Sequence, residues 1–587
     1  MGRAANPSGR VLLAIALAAT LLPLAAGRAS AASILRVKVN ATGANNGATW
    51  ADAYTSLQTA LGAATSGDQI WVAKGTYVPT TNTDASVSFA LKSGVAVYGG
   101  FAGNETSASK RNPSANLTIL SGDIGVQGTN ADNSRHVVTA WFVNSATILD
   151  GFKVIGGYNF TDIVPGSGIL VSGGSPTLRN LIVSGGVGFA GGGIGVDNGG
   201  SPLIERVLLT ANFAGGGYGL GGGMQVSSGS PTLRNVTFAS NSGNFGAGLE
   251  TASGTSPNLI NVTFSGNTLT SGTSGGAIYS DGNLTLSNSI VWGNASTEVI
   301  AASGTMGISN SIVAGGCPAS ASCTAVADAD PKLGTLKANG AFVPTLAPGA
   351  GSAAIDGGAN GTCAATDARG VTRPQGPSCD MGAVEVRVLS FRSQAAYDGW
   401  ILESSETSSK GGSLSATATT IRIGDDAKNR QYRGIVSFNT ASLPDSATIV
   451  RTTLRLKPAG IGGTSPLTTH GTLAADIRSP RFGTSASLAT SDFSAAASRN
   501  AAASFGSAAV GGWYVASVGT PGLAFVSRTA TTQFRLRFTL DDNNDRGADY
   551  LSVASGNAST SANRPLLQVY YSPDARRRRP GRRRGAP

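Results

Sequence analysis

The sequence contains few charged side chains, few aromatic rings and almost no histidine. Charged residues make up 13% and aromatic residues 6% of its 587 positions. So little Lys and Glu argues against a helical protein. The two histidines, His136 and His470, both lie outside the repeats described below, which argues against a Ser-His-Asp arrangement on those repeats.

A long apolar run is missing after residue 31, and we therefore predict no membrane-spanning helix. Residues 1–31 have the pattern of a secretory signal peptide. Arg3 and Arg10 make its start positive, the apolar run Val11–Ala26 follows, and Ala29–Ala31 supplies a small-x-small cleavage site. We expect a secreted protein, either in solution or associated with the cell surface.

Net charge is nearly absent from the body of the chain. The overall charge of +11 comes mostly from the signal and from the tail, residues 573–587. The sequence between these two segments contains 33 basic and 31 acidic residues, so it is nearly neutral. A neutral body predicts no nucleic-acid partner. The tail sequence RRRRPGRRR offers nothing to bury and is predicted to be disordered. Contact of the tail with an anionic surface and a passive end both remain open.

Glycine and a repeated motif are what the sequence has in abundance. There are 82 Gly, and one motif recurs five times between residues 175 and 294, with starts 26, 29, 26 and 27 residues apart. The copies read SPTLRN at Ser175, SPLIER at Ser201, SPTLRN at Ser230, SPNLIN at Ser256 and NLTLSN at Asn283. A fixed period of this length is typical of a solenoid, in which each repeat buries its apolar face against its neighbours.

Aligned repeats produce four columns of equivalent residues. Apolar and small polar residues alternate after each motif, which predicts strands. Two columns are apolar and are predicted to point inward: Leu178, Ile204, Leu233, Leu259 and Leu286, and Val183, Leu209, Phe238, Phe264 and Val291. Asparagine tolerates sharp bends, and stacked amides hydrogen-bond to one another. The two columns predicted at corners are Asn180, Asn235, Asn261 and Asn288, interrupted by Arg206, and Asn212, Asn241, Asn267 and Asn294.

A second short strand follows a glycine cluster in each repeat, as in GGGIGV and GGGMQV. Two or three strands in each repeat predict a right-handed parallel β-helix. A leucine-rich repeat is the alternative, and the Gly and Ser between the strands disfavour it because they oppose helix formation. Residues 32–80 are predicted to form an N-terminal cap and the first rung, with a short amphipathic helix near 54–64 that covers the open end of the stack.

Several segments outside the columns carry a resemblance to a known group of proteins. VYGGFAGNETSASKRNP, ILSGDIG, NSRHVVTA and the SPTLRN repeats resemble secreted bacterial right-handed β-helix proteins, which are similar to polymorphic outer-membrane proteins and more distantly to pectate lyases. The resemblance implies a β-helix over 81–325. AIDGGANGTCAATDARGVTRPQGPSCDMGAVE, from Ala354, resembles the choice-of-anchor Q module and implies a segment over 326–387 that closes the β-helix.

All four cysteines lie in this part of the chain: Cys317, Cys323, Cys363 and Cys379. An even number in an exported protein indicates disulfides, for which three pairings exist. We favour Cys317 with Cys323 and Cys363 with Cys379. A zinc site is the alternative, but no His or C-x-x-C motif lies nearby.

From residue 388 to residue 572 the repeats give way to short alternating strands between Gly, Ser and Asp loops. This pattern predicts an antiparallel β-sandwich of the jelly-roll type. RTTLRLKP, DDNNDRGADYLSV and NRPLLQVYY resemble the DNRLRE-type module of secreted bacterial proteins. That module is similar to carbohydrate-binding jelly rolls, some of which bind uronate polysaccharides, so the resemblance implies carbohydrate binding without naming the carbohydrate.

Candidate catalytic residues on the rungs are few. One outward column holds Arg179, Glu205 and Arg234 in successive repeats, which suits either a polysaccharide lyase site or a surface ion-pair ladder, and we favour the ladder. The outward column of the second strand holds one acid, Glu250, too few for the carboxylate pair of a hydrolase.

An acidic loop in the sandwich is the best candidate metal site. Asp541, Asn543, Asp545 and Asp549 offer oxygen ligands of the kind that Ca²⁺ prefers. The alternative is a solvated turn. We expect no required cofactor. The one ion that this loop suggests is a structural Ca²⁺.

Aromatic rings of the sandwich are the candidate ligand-binding residues, since rings stack on sugars while Arg binds uronate carboxylates. The candidates are Trp400, Tyr432, Trp513 and Tyr514, with Tyr397 beside them. Burial in the sandwich core is the alternative for each ring. Trp513 follows two glycines and is the ring most expected at the surface.

The hypothesis is a secreted or cell-surface protein in which a β-helix presents a polysaccharide-binding sandwich, for adhesion or attachment without catalysis. The expected partner is a polysaccharide or a cell-wall glycan. The alternative is a polysaccharide lyase or hydrolase with a pectate-lyase-like fold that acts on acidic glycans.

Overall fold

The computed structural model describes residues 1–2, 32–217, 219–270, 276–294, 297–485 and 487–572. Nearly all of the predicted signal and the whole predicted tail, 573–587, lie outside the described residues. The protein is all-β, with a right-handed parallel β-helix followed by an antiparallel β-sandwich.

Three parallel sheets form the β-helix, because each repeat contributes strands that pair with the same strands of the next repeat. The largest sheet has 17 strands: Ile34–Val37, Gln69–Ala73, Gly75–Tyr77, Ala96–Phe101, Thr118–Ser121, Ile148–Asp150, Lys153–Ile155, Thr177–Ser184, Leu203–Thr210, Thr232–Arg234, Thr237–Ala239, Asn258–Ile260, Thr263–Ser265, Leu284–Ser287, Ile290–Val291, Met306–Val313 and Ala321–Ala327. The second has eight: Phe89–Ala90, Val138–Trp141, Ile169–Ser172, Ile194–Asp197, Met224–Val226, Leu249–Thr251, Ile278–Ser280 and Val299–Ala301. The third has five: Tyr158–Asn159, Val187–Gly188, Phe213–Ala214, Ser242–Gly243 and Thr268–Leu269.

Both apolar columns point inward, as the alternation predicts. Leu178 pairs in register with Ile204, and Val183 pairs with Leu209. Every member of the two columns is at most 1% exposed. Phe238 and Phe264 stack at 4.4 Å between ring centroids with an interplanar angle of 4°. Apolar side chains at equal repeat positions therefore stack on one another and fill the core of the β-helix.

The first asparagine column forms a backbone corner. Asn180, Asn235, Asn261 and Asn288 have φ between 50° and 54°, in the left-handed region that asparagine tolerates. Arg206 occupies the same position in its repeat and has φ 55°. The prediction of a corner is confirmed, and one repeat forms it with a residue that rarely adopts this conformation.

The second asparagine column forms a buried amide ladder. Asn212 Nδ2 donates to Asn241 Oδ1 at 2.9 Å, and Asn241 Nδ2 donates to Asn267 Oδ1 at 2.9 Å. The ladder continues from Asn267 to Asn294 at 2.7 Å. Here the left-handed residue is the one before each asparagine, for example Ser240 with φ 57°. The predicted rung-to-rung hydrogen bonds are present, and the bend at this column falls one residue before the asparagine.

Helix Leu57–Ala63 begins after Ser56, whose Oγ accepts a hydrogen bond from Thr59 N. Leu57 and Leu61 belong to the same buried cluster as the first rungs. The other helices are short: the α-helices Pro466–Thr469 and Thr520–Leu523, and the 3₁₀-helices Ala108–Lys110, Asn130–Asp132, Ala395–Tyr397, Thr490–Phe493 and Ser561–Asn563. None of the helices within the described residues is long and apolar enough to cross a lipid bilayer.

Residues 331–386 contain no strand within the described structure and lie against the corner asparagines. Asn235 Nδ2 donates to the Thr366 carbonyl at 2.7 Å, and Asn261 Nδ2 donates to the Asp380 carbonyl at 3.1 Å. Ile290 and Met381 share an apolar cluster. The segment is thus held along the flank of the rungs, and we refer to it as the flanking segment.

Two antiparallel sheets form the sandwich. One has four strands: Arg387–Arg392, Thr448–Leu456, Tyr514–Ser517 and Leu566–Ser572. The other has nine: Gly399–Glu403, Gly411–Ser415, Thr420–Asp425, Gln431–Asn439, Pro458–Gly462, Leu473–Arg478, Arg499–Ser504, Thr531–Phe538 and Tyr550–Ala554. Their inward residues, among them Leu454, Phe534 and Leu567, form one buried core.

Candidate functional site

The outward column of the rungs lies in the predicted register. Arg179 pairs with Glu205, and Glu205 pairs with Arg234 on the next strand. The ion pairs, however, form with other partners: Arg179 Nε contacts Asp150 at 2.8 Å, and Glu205 contacts Arg206 at 3.4 Å. Among the described residues Arg234 has no ion-pair partner and is exposed. The three residues therefore do not form an ion-pair ladder with one another.

Asp150 lies at the centre of a group of ion pairs and hydrogen bonds on the rungs, although no motif in the sequence singles it out. It is 1% exposed and accepts from Arg111 Nη2 at 2.7 Å, from Arg179 and from Asn180. Burial alone would raise the pKa of Asp150, but the Arg111 charge and these hydrogen bonds hold it below its usual range. The cluster ties the loop that carries Arg111 to the rungs.

Glu250 is the one acid of the second outward column, where it pairs in register with Gln225 and Tyr279. The side chain is 4% exposed, and burial raises the pKa of Glu250 to about 7. Such a pKa suits general acid–base chemistry. A carboxyl with so little exposure does not reach a polymer on the surface.

The acidic loop is closed by hydrogen bonds among its own residues. Asn543 Nδ2 donates to Asp545 at 2.8 Å and to Asp549 at 3.1 Å. Asp549 is 2% exposed and accepts from Thr464 N at 2.6 Å, while its own N–H donates to Asp425. Asp541 lies exposed at the start of the loop. Within the described residues no group of three His, Cys, Asp or Glu side chains could hold a metal ion, and structural Ca²⁺ stays a prediction.

Three of the candidate rings pack into the sandwich. Tyr432 is 6% exposed and Tyr514 is 7% exposed, and both belong to the buried residues of the sandwich. Trp400 lies edge-on to Tyr432 at 5.2 Å between centroids and packs against the core. Tyr397 is half-buried in its 3₁₀-helix.

Trp513 lies on the outer surface of the four-stranded sheet. Gly511 and Gly512, with φ 58° and 77°, form the tight bend before it. Side chains alternate along a strand, so the inward Tyr514 leaves Trp513 on the outer side, where it is half-buried. The ring is therefore partly exposed to solvent.

Three cations surround the Trp513 ring. The distances to its centroid are 5.8 Å for Arg392, 5.4 Å for Arg455 and 5.5 Å for Lys457. In the part of the chain that the structure describes, none of the three cations has an ion-pair partner. Burial and the neighbouring Arg455 charge lower the pKa of Arg392. We call Trp513 and these three cations the tryptophan platform.

Sequence reasoning found the ring of this platform and missed its cations. The outward positions Arg455 and Lys457 alternate with the buried Leu454 and Leu456, which is a signal that was present in RTTLRLKP. Arg392 lies 121 positions before Trp513 in the sequence, and no local pattern connects the two residues.

Both favoured disulfides are present. Cys317 bonds to Cys323 with 6.0 Å between Cα atoms, and Cys363 bonds to Cys379 with 6.7 Å between them. The first joins Cys317, just before the last strand of the largest sheet, to Cys323 within that strand, and the second crosslinks the flanking segment. Their contribution is structural.

The comparison with family models agrees with the fold. Residues 124–313 match the family model described as a right handed beta helix region. The crystal structure of pectate lyase Pel9A is similar over 61% of this chain and 97% of that chain, with 16% identity and a TM-score of 0.40. The enzymatically active domain of bacteriophage CBA120 tailspike protein 4 matches over 86% of this chain and 64% of that chain, with 11% identity and a TM-score of 0.13. No curated protein matches the chain. The two structural likenesses carry no argument about fold or activity.

Proposed function

We propose that this is a secreted, non-catalytic β-helix protein that binds acidic polysaccharide through the tryptophan platform, for adhesion or attachment. The observation that carries the proposal is the half-buried Trp513 ring with three cations within 6 Å of its centroid, none of which pairs with an acid of the described residues. An acidic polymer is the ligand class that complements both features.

Each part of the platform has a defined role in this proposal. The flat apolar face of Trp513 stacks on a pyranose ring. Arg455 is the planar, two-pronged donor for a uronate carboxylate, while Lys457 and Arg392 add positive charge around it. Because exposed charges are screened over about 8 Å at physiological salt, binding is expected to weaken as salt is added.

The contacts and burial of the outward residues on the rungs support the non-catalytic part of the proposal. Their outward residues Arg179 and Glu205 are engaged with Asp150 and Arg206, and Glu250 is 4% exposed. An acid, a base and a space for substrate between them are needed for a lyase or a hydrolase. The described rungs bring no such set together on an open surface.

The test is affinity electrophoresis of the full chain in gels that contain polygalacturonate or a neutral glucan. Trp513→Ala is expected to weaken retention by polygalacturonate about tenfold, as for a central aromatic contact. Trp141→Ala is the matched control, because Trp141 is a 50% exposed tryptophan on the β-helix. Equal retention of wild type and Trp513→Ala, or equal retention in the neutral gel, would contradict the proposal.

The alternative is a polysaccharide lyase or hydrolase, for which Arg234 is the rung residue that is exposed and has no ion-pair partner among the described residues. It predicts release of unsaturated or reducing ends from an acidic polysaccharide, with activity lost in Arg234→Ala. Retention without any product in the same incubation supports binding alone.

A further inference from the structure

The corner occupied by Arg206 breaks the rule of its column. The equivalent residue is asparagine at Asn180, Asn235, Asn261 and Asn288. An arginine with φ 55° is disfavoured there, because its Cβ crowds the backbone and its side chain gives no local hydrogen bond of the kind that asparagine gives. Departures from a local rule concentrate at functional positions.

Arg206 lines a cleft of about 540 Å³ between the rungs, the loop around Arg111 and the flanking segment. Arg111, Arg179 and Arg369 line the same cleft. Within the described residues no Asp or Glu lines it. The carboxylates that pair with Arg111, Arg179 and Arg369 are Asp150 and Asp367, which lie behind the wall and are 1% and 0% exposed. Arg206 pairs through Nη2 with its chain neighbour Glu205 at 3.4 Å.

Two of these guanidinium groups have N–H donors without an acceptor. The Arg369 side chain is 2% exposed; its Nε donates to Asp367 at 2.8 Å and its Nη2 donates to the Glu385 carbonyl. Its buried Nη1 has no hydrogen-bond partner among the described residues, and the same holds for Arg206 Nε. A buried donor without an acceptor is destabilising, so an oxyanion in the cleft would supply what the protein leaves out.

We propose that this cleft, which we call the arginine cleft, binds a carboxylate-bearing sugar residue of an acidic polysaccharide, at a site separate from the tryptophan platform. Its volume is in the range of small-molecule sites, which exceeds the need of a bare ion. Ser109, Asn112 and Ser114 line the same wall and offer partners for sugar hydroxyls. The proposal rests on the proposed function for the class of polymer and on the cleft for the site.

The experiment uses the full chain in the Trp513→Ala background and measures binding of a short oligogalacturonide by calorimetry. Arg206→Asn is expected to weaken this binding about tenfold, as for loss of a charge-assisted hydrogen-bond donor. It restores the residue that the neighbouring repeats carry at this corner, so its melting temperature is expected to equal or exceed that of the parent. The loss cannot then be assigned to misfolding.

Lys153→Gln is the matched control, because Lys153 lies on the same sheet and does not line the cleft. It removes the same charge and is expected to leave the affinity within a factor of two. An equal loss in Lys153→Gln, unchanged affinity in Arg206→Asn, or equal binding of a neutral oligosaccharide would overturn the proposal. Tighter binding of a sulfated than of a carboxylated oligosaccharide would overturn the carboxylate assignment.

The outcome is distinguishable from that of the proposed function. Binding that depends on Arg206 and not on Trp513 would support the cleft and contradict the platform. Binding that depends on Trp513 alone would support the platform and contradict the cleft.

Discussion

The β-helix and the sandwich use their polar residues in opposite ways. In the β-helix, asparagines form corners and a buried ladder, and equivalent residues meet in every repeat. In the sandwich, the tryptophan platform gathers residues from different strands, and its cations have no acidic partner in the described part of the chain. The regular polar pattern thus has a structural role, and the unpaired irregular one is the feature on which the proposed ligand site rests.

The contrast between the β-helix and the sandwich requires that the asparagine ladder contribute strongly to stability. Asn241 is 0% exposed, donates to Leu209 O and to Asn267, and accepts from Asn212. Asn241→Ala leaves several buried polar groups unpaired, and we expect a loss of about 4 kcal/mol in the free energy of unfolding. Thermal and urea denaturation measure it.

The control for the ladder is Asn258→Ala. Asn258 is exposed, and its side chain makes one hydrogen bond within the described residues, accepted from Thr285 at 2.9 Å, so we expect a change below about 0.5 kcal/mol. Similar losses in both variants would show that the ladder is not special.

Glu250 is a buried acid on the rungs, and its effect on stability should depend on pH. Burial raises its pKa from 4.5 to about 7, so the folded protein holds a proton that the unfolded chain releases. Stability is therefore expected to fall as the pH rises from about 4.5 to about 7. Glu250→Gln should be more stable than wild type by up to about 3 kcal/mol near pH 8, with little difference near pH 5, as measured by melting curves.

Glu105 supplies a control of opposite sign. Partial burial opposes ionisation, but hydrogen bonds from the Ala102, Asn104 and Gly103 amides lower its pKa. This stabilisation is present above the usual pKa and is lost as the pH falls. Glu105→Gln should therefore be less stable than wild type near pH 8, and a gain there would refute the assignment of signs.

The two disulfides allow the stabilisation of the last rung to be compared with that of the flanking segment. Loop closure predicts that removal of Cys363–Cys379, with a separation of 16 residues, costs about 3 kcal/mol. Removal of Cys317–Cys323, with a separation of 6, should cost about 2 kcal/mol. Melting curves of the two double-alanine variants check the order, and the reverse order would contradict it.

The smallest effect is expected from one rim cation of the platform. Lys457→Gln should weaken polygalacturonate binding about threefold and make it less sensitive to salt. Retention at two salt concentrations measures both. An unchanged salt dependence would mean that Lys457 does not face the polymer.

Most of the β-helix could be predicted, because stacking places residues of equal repeat position in contact. Asn241 and Asn267 are 26 residues apart in sequence and adjacent in space. The cluster around Asp150 could not be predicted in this way, because Arg111 reaches it from a loop outside the repeats.

The platform could be predicted only in part, because antiparallel pairing joins distant segments. Tyr514 pairs with Leu456, which brings Trp513 near Arg455 and Lys457, but nothing local announces this register. Arg206 is the reverse case: its departure from the asparagine column is plain in the sequence, and its meaning depends on the flanking segment that completes the cleft.

The most direct test is one incubation of wild type and Trp513→Ala with polygalacturonate, in which bound protein and released product are measured together. The account predicts that wild type binds, that Trp513→Ala binds about tenfold more weakly, and that neither releases product. Product from wild type, or undiminished binding by Trp513→Ala, would contradict it.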